Sequence, residues 1–486
     1  MATPGVSFAR RVGRVGRVGR AEYHKRLAAP RSGWADLGGV RCLNVPASTS
    51  QIESKVRFGP FGAGGRVLGA VEKGWEPVRE AFEENFALNL ELGAQLAIYK
   101  GEELMVDLAG HSPAQPGYTA ETLQCVFSCG KNVEAIAVAM LVSRGAVSYN
   151  DLVCNHWPEF AQNGKESITI ADVMRHEGGV PFLLDPAAMD DKSKDIILSQ
   201  AHLDDVDLLE AAFAAAPCVY DCVGHRRTYH SVSRGWLVSA IVRRVDPRGR
   251  TLGQFIRQDI SDVLGISYFC GISAAEQANF AFAGLTQISK PYTFAFEALP
   301  ALLGVGCPII ATAIKRMLQK NNPAARVVCD WMGKIPDIHP RFLNTVAGRE
   351  AEISSAGMPT NARSMAKLNA CMANGGALGG VRLMSEAACE ESMSEFTVAH
   401  DAFFGCETSV SVGGFGDLTI LKENMVHREL TQALDGFLGW GGWGGSLSLW
   451  HPEKRIAVSY VPNAMENSIL GGPRTARIFS ALRTVI

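Results

Sequence analysis

An α+β fold is predicted for this chain of 486 residues, with an antiparallel sheet built from both chain ends, flanking helices and an inserted helical region over roughly residues 130–395. Short runs of strand-like apolar pattern occur before residue 110 and again from Val410 onward, whereas the apolar residues between them recur mostly at helical spacing. Composition agrees, since 47% hydrophobic and 20% charged residues suffice for a large core.

In chain order, residues 1–68 read as a basic N-terminal tail and linker, and residues 69–486 as the main domain. Arg10, Arg11, Arg14, Arg17 and Arg20 alternate with Val and Gly, and no apolar signal-peptide core occurs. An intracellular protein is expected, cytoplasmic or mitochondrial. Gly13, Gly16 and Gly19 would each weaken a presequence helix by about 1 kcal/mol, so a disordered tail is at least as good a reading. Residues 32–65 carry Pro, Gly and Ser punctuation and read as a linker or a wrapped arm. Helical spacing over 75–90 then leads into a hairpin of 94–99 and 104–108 around the Lys100-Gly101 turn. Near the other end 410–412, 418–421, 446–450 and 456–461 are strand-like. The uncharged stretch 298–314 is interrupted by Pro300 and Pro308 and is shorter than the about 20 residues of a membrane span, so it reads first as packing in the helical region, ahead of a cover over the cleft or a contact with a membrane surface.

Ser128-Cys129-Gly130-Lys131 opens a strongly amphipathic helix: Val133, Ile136, Ala137, Met140 and Leu141 share one face, and Gly145 is a plausible stop. A serine three residues before a lysine faces the same side, so the amine can help remove the hydroxyl proton. The lysine must then be buried, or near another cation, to be uncharged at neutral pH. The unpaired N–H groups and dipole of a helix start would stabilise charge on the serine oxygen. The bland alternative is a serine cap followed by a solvated lysine. Ser364-Met365-Ala366-Lys367 repeats the pattern and reads as a helix surface.

Two later segments follow in a recognisable order. Tyr229-His230-Ser231 stands in the run 227–237, and Gly439-Trp440-Gly441-Gly442-Trp443-Gly444-Gly445-Ser446 precedes a strand-like stretch. With Ser128-x-x-Lys131, these resemble the serine β-lactamase-related superfamily, in particular class C β-lactamases and the esterases and acyltransferases with a Trp-Gly-Gly third motif. The tyrosine segment stands where that family has Tyr-x-Asn, and the glycine-rich segment where β-lactamases read Lys-Thr-Gly. His176-Glu177-Gly178-Gly179-Val180-Pro181 resembles a further element of the family. The resemblance runs from about Gly69 to the C-terminus and implies a β-lactamase/transpeptidase-like fold with one catalytic domain over 69–486.

The resemblance implies catalytic roles for Ser128 as nucleophile and for Lys131 and Tyr229 as the shared acid and base. A nearby ammonium would favour the phenolate, letting Tyr229 take the serine proton. The backbone amides of Ser128 and Trp443 form the expected oxyanion hole. Ser231, Trp440, Gly441 and Gly442 are expected to contact substrate. Ser231 keeps a hydroxyl but lacks the amide's paired donor and acceptor, and Trp440 offers an apolar face and one N–H where a lysine would offer a cation. Recognition should therefore shift toward neutral or hydrophobic acyl esters. A lone His230 between the tyrosine and the serine is more often structural than catalytic.

These residues predict a serine carboxylesterase working through an acyl-enzyme on a small-molecule ester. The alternatives are a transesterase on the same site, β-lactamase or D-peptidase activity, and an inactive scaffold whose departures would be Gly130 and Ser231. No cofactor is implied. A net charge of −2 gives no footprint for nucleic acid, no transmembrane segment is expected, and an oligomer stays open. The 12 cysteines lack paired metal-ligand spacings and read as reduced, mostly buried thiols, with Cys218 and Cys222 an isolated pair. No G-x-S-x-G or H-E-x-x-H occurs, which counts against an α/β-hydrolase and a zinc hydrolase.

Overall fold

The computed structural model describes residues 50–58, 62–183, 200–220, 225–287, 340–418, 433–466 and 472–486. The basic tail to residue 49, the stretch 298–314, Cys222 and residues 419–421 of one expected strand lie outside them.

Among the described residues ten strands form one sheet. The N-terminal part supplies β1 (Ser50–Phe58), β2 (Gly62–Val71), β3 (Gly93–Lys100) and β4 (Glu103–His111). The C-terminal part supplies β5 (Thr397–Asp401), β6 (Cys406–Val410), β7 (Gly416–Asp417), β8 (Leu438–Gly441), β9 (Leu447–His451) and β10 (Ile456–Pro462). Their order is β1-β2-β4-β3-β10-β9-β8-β7-β6-β5. Both chain ends meet at the β3–β10 seam, where the antiparallel register runs from Ile456 opposite Lys100 to Pro462 opposite Ala94. The expected hairpin is β3–β4.

Strand alternation gives the sheet two buried faces. Leu96, Ile98, Leu447, Leu449, Ile456 and Val458 join one cluster with residues of the helices α1 (Glu76–Ala87) and α5 (Pro473–Leu482). Ala97, Tyr99, Trp450 and Ala457 face the other cluster, built with α2 (Gly130–Ser143), α3 (Ser233–Val245) and α4 (Ala362–Ala373). Helix α1 starts with Glu76 and Pro77 in its first turn, and Val78, Phe82 and Phe86 repeat every four residues on its buried side. Burial of each of those phenylalanines contributes roughly 1.5–3 kcal/mol.

Three sequence expectations change. The linker was expected to reach residue 68, but β1 and β2 pair with each other and β2 pairs with β4, so that boundary falls inside a strand. Helix α2 is not amphipathic in the solvent sense: Gly130 through Leu141 are all buried, because its polar residues meet buried partners instead of water. The strand expected at 410–412 is β6, which ends at Val410. Of the cysteines described, all eight are free thiols and six are buried.

Helix α2 enters so close to the loop at Ser354 that a Cβ on Gly130 would overlap the Ser354 carbonyl oxygen, with the Met358 sulfur at 3.1 Å. Gly130→Ala is accordingly expected to destabilise the fold by about 1–3 kcal/mol through overpacking, read as a lower urea midpoint at unchanged m-value.

Candidate active site

The chain reaches α2 through a tight turn over Phe127–Cys129, in which Phe127 holds φ +47°. A non-glycine residue in the left-handed region is strained and needs surrounding structure to hold it. Packing against the Trp443 ring, with centroids 5.4 Å apart, supplies part of that hold. Ser128 follows directly. The Tyr229 hydroxyl donates to Ser128 Oγ at 2.7 Å, and Lys131 Nζ lies 3.4 Å from the same oxygen.

Lys131 is fully buried and donates to the carbonyls of Ser231 at 2.6 Å and Ser355 at 3.2 Å. Burial is the main reason that its pKa falls to about 7; Glu134 opposes the fall and Arg234 adds to it. Those two charges form a buried pair beneath the lysine, with Arg234 Nε donating to Glu134 Oε2 at 2.9 Å. Arg234 also donates to the Lys131 carbonyl at 2.6 Å, while Glu134 Oε1 accepts from the hydroxyls of Ser354 and Ser355 at 2.8 and 2.6 Å. A buried ion pair needs such additional hydrogen bonds to be tolerated.

Tyr229 sits among the rings of His176 (4.7 Å between centroids), Phe404 (4.8 Å), Phe403 (5.4 Å) and Trp440 (5.8 Å). Burial in this cage raises its pKa above the ordinary phenol value, against the lowering effect of its bond to Ser128. The expectation that the lysine draws the phenol toward phenolate is thus reversed: low dielectric disfavours charge on both groups. The Tyr229 amide donates to Asp401 Oδ1 at 3.1 Å, and that oxygen also accepts the amides of Phe403 and Phe404, so one carboxylate ties the tyrosine to the turn that stacks on it.

On the third side the glycine-rich segment leaves β8 and turns back into β9. Gly442 donates to the Ser446 carbonyl at 2.7 Å, and the Ser446 hydroxyl donates to the Val126 carbonyl at 3.0 Å. A Cβ on Gly442 would overlap that Val126 carbonyl, which explains the glycine. Trp443 is therefore held beside the turn that carries the serine. No backbone carbonyl among the described residues accepts from the amides of Ser128 or Trp443.

This arrangement has relatives. Residues 82–482 match the Beta-lactamase family. The chain belongs to the β-lactamase family. It is 26% identical over 415 residues to "Esterase/beta-lactamase LipL" of Mycobacterium tuberculosis, covering 83% of this chain and 84% of that protein. Among solved structures, a family VIII carboxylesterase is 25% identical with a TM-score of 0.69, covering 86% of this chain and all of its own. A penicillin-binding protein homologue from Caulobacter crescentus is 27% identical with a TM-score of 0.67 and covers 86% of this chain and 100% of its own. Fold and enzyme class follow the reading from sequence: a β-lactamase-type serine hydrolase with a large antiparallel sheet flanked by helices.

Within this family frame, the structure brings Ser128, Lys131 and Tyr229 together and assigns the remaining expectations more narrowly. Ser231 gives Lys131 its backbone carbonyl, while its hydroxyl is buried with no partner among the described residues. Gly441 pairs with Leu447 inside the sheet. Trp440 does not present an N–H donor to a substrate, because Nε1 donates to the Gly414 carbonyl at 3.1 Å and the ring packs edge-on against His176. His230 is structural: Nδ1–H donates to the Thr228 carbonyl, Nε2 accepts from the Val180 amide, and burial lowers its pKa to about 3. Ser364 is a buried helix residue and not the expected surface one; its Oγ accepts from the Ser267 amide, and Lys367 turns away to the Leu264 carbonyl. Glu134, Ser355 and Asp401 were missed, and His176, read from sequence only as part of a family element, packs against Tyr229. Of the three missed, Glu134, three residues after Lys131, carried a positional signal.

Trp440 fills the wall behind Tyr229 and satisfies a buried carbonyl. Trp440→Ala is expected to cost about 3–5 kcal/mol by leaving a cavity, measured as the shift in unfolding free energy in guanidinium.

Proposed function

We propose that the chain hydrolyses neutral carboxylic esters through an acyl-enzyme on Ser128. The observation that carries this reading is the contact of one serine oxygen with both the Tyr229 hydroxyl and a buried lysine that forms no salt bridge among the described residues, its nearby Glu134 being paired with Arg234. A neutral amine has two N–H groups and one lone pair. The carbonyls of Ser231 and Ser355 take both hydrogens, which leaves the lone pair for the Ser128 proton. Lys131 is then the base, and Tyr229 stays protonated and donates.

As Ser128 Oγ attacks the ester carbonyl, its proton passes to Lys131 Nζ, and the carbonyl oxygen takes up negative charge between the amides of Ser128 and Trp443. Collapse expels the alkoxide, which takes its proton from Tyr229, and the proton held on Lys131 then restores the phenol, so that both groups end as they began. Water repeats the sequence to release the acid. The names of the relatives support an ester substrate. So does the absence, among the described residues, of a free cation at the position of Trp440: Arg234 over its ring pairs with Glu134, Arg227 is buried on Glu177 and Thr397, and Arg226 pairs with Asp172 at 2.9 Å. A carboxylate on the substrate would lose a charge-assisted bond of roughly 1.5–3 kcal/mol.

Two measurements test the proposal. A fluorophosphonate probe followed by peptide mass spectrometry is expected to modify Ser128 and leave Ser364 untouched; an unlabelled Ser128 in folded protein would return the scaffold reading. The pH profile of kcat/KM for a short p-nitrophenyl ester is the second. Because only the neutral lysine accepts the proton, activity should rise tenfold per pH unit below about 7 and level off above it. Tyr229, raised above the ordinary phenol range, should add no descending limb below pH 9. A bell centred near neutrality would assign the base elsewhere.

A further inference from the structure

One buried cation reaches the glycine-rich turn from behind. Arg474, in the first turn of α5, is 1% exposed. Its guanidinium donates to Glu91 Oε2 at 2.8 Å, to the Leu90 carbonyl at 3.2 Å and to the Gly444 carbonyl at 3.0 Å. The Glu466 amide donates to the same Gly444 oxygen at 3.3 Å. Glu91 is itself held by the Tyr460 hydroxyl of β10. Gly444 and Gly445 have φ values of +92° and +108°, and a Cβ on either would come within 3.0 Å of Met465 or of the Arg474 guanidinium.

As a fastening for α5 this pair would be a poor choice. Taking a guanidinium and a carboxylate out of water costs several kcal/mol per ion, and apolar residues of similar volume would hold a helix at least as well. Helix α5 already buries Ala476, Ile478, Phe479 and Leu482 against the sheet. What apolar residues cannot do is donate to the Gly444 carbonyl. That carbonyl lies one residue beyond Trp443, on the side of the turn away from the Ser446–Val126 bond, where the Glu466 amide is the other donor to it. An oxyanion donor works only when it is preorganised within about 2.7–3.1 Å of the oxygen of the transition state.

We propose that Arg474, braced by Glu91, is a positioning residue that fixes the turn at 442–446 and thereby the Trp443 amide. The inference rests on the acyl-enzyme reading of Ser128. It makes the C-terminal helix part of the transition-state machinery, although Arg474 touches no reacting atom.

The test compares the full-length wild type with Arg474→Lys and Glu91→Gln. Turnover of a short p-nitrophenyl ester is measured beside inhibition by phenylboronic acid, whose tetrahedral adduct on a nucleophilic serine loads the oxyanion site; circular dichroism and Tm report folding. Lysine cannot reach Gly444, Glu91 and Leu90 together. Arg474→Lys should lower kcat about 10- to 100-fold and weaken boronate binding by a similar factor, with KM within about 3-fold. Glu91→Gln should act in the same direction to a smaller extent. A purely structural role would lower Tm while folded enzyme kept wild-type kcat and boronate affinity, and that result overturns the inference. Should Arg474→Lys fail to fold, Glu91→Gln decides alone: weakened boronate binding supports the inference and unchanged binding overturns it. A wild type without turnover, boronate binding or Ser128 labelling overturns the acyl-enzyme reading and this inference with it, whereas an active wild type with unaffected variants overturns the inference only.

Discussion

An amine without water around it governs the site. Lys131 is enclosed by protein, donates to two carbonyl oxygens, forms no salt bridge among the described residues, and so sits near the midpoint of its titration at neutral pH. Desolvation alone would push it further, because a charge in a low-dielectric interior is strongly disfavoured. Glu134 pulls it back and Arg234 pushes it down again. Since the two side chains are salt-bridged to each other, the lysine experiences a dipole whose ends oppose one another. This explains why ionic residues can be packed beneath a base without fixing its charge.

That constraint reaches into the fold. A helix whose first polar residue must be buried cannot lie on the surface, and α2 is enclosed accordingly. Asn132 donates to Ser448 of β9, and Ser448 in turn donates to Asn369 of α4, so the amide donors of Asn132 meet sheet and helix in place of solvent. The β3–β10 seam then matters for chemistry as well as for stability. It joins the strands from the two chain ends, so that the turn after β8 can be held against the residues just before Ser128.

The legible parts of the sequence were those with local causes. The α1 spacing, the β3–β4 hairpin and the order of Ser128, Lys131 and Tyr229 follow from periodicity or motif, and the structure contains each of them. Strand β1 was also open to reading, since Ile52, Val56 and Phe58 alternate with Glu53, Lys55 and Arg57, but the glycines at 62, 64 and 65 suggested a linker. Asp401, Ser355 and Arg474 were beyond sequence reasoning for a different reason. Each acts through contacts with residues far away along the chain, and nothing in the local pattern distinguishes a carboxylate that binds backbone amides from one on the surface. The electrostatics of Tyr229 were misjudged because proximity to a lysine was weighed without the burial that both groups share.

The two departures that favoured a drifted scaffold each have a structural reason. Gly130 is required by space, since the Ser354 carbonyl occupies the place of its Cβ, and Ser354 is one of the two hydroxyl donors to Glu134. Ser231 serves Lys131 through its carbonyl, a contact that a different side chain there would leave in place. Drift after loss of function would be expected to relax the costly features first: a buried lysine, a strained residue before the serine, and an ion pair with no access to water. All three are present and close on the nucleophile: the lysine touches the Ser128 oxygen, the strained Phe127 precedes it, and the ion pair holds the lysine backbone from beneath, costs that a binding scaffold would have no use for.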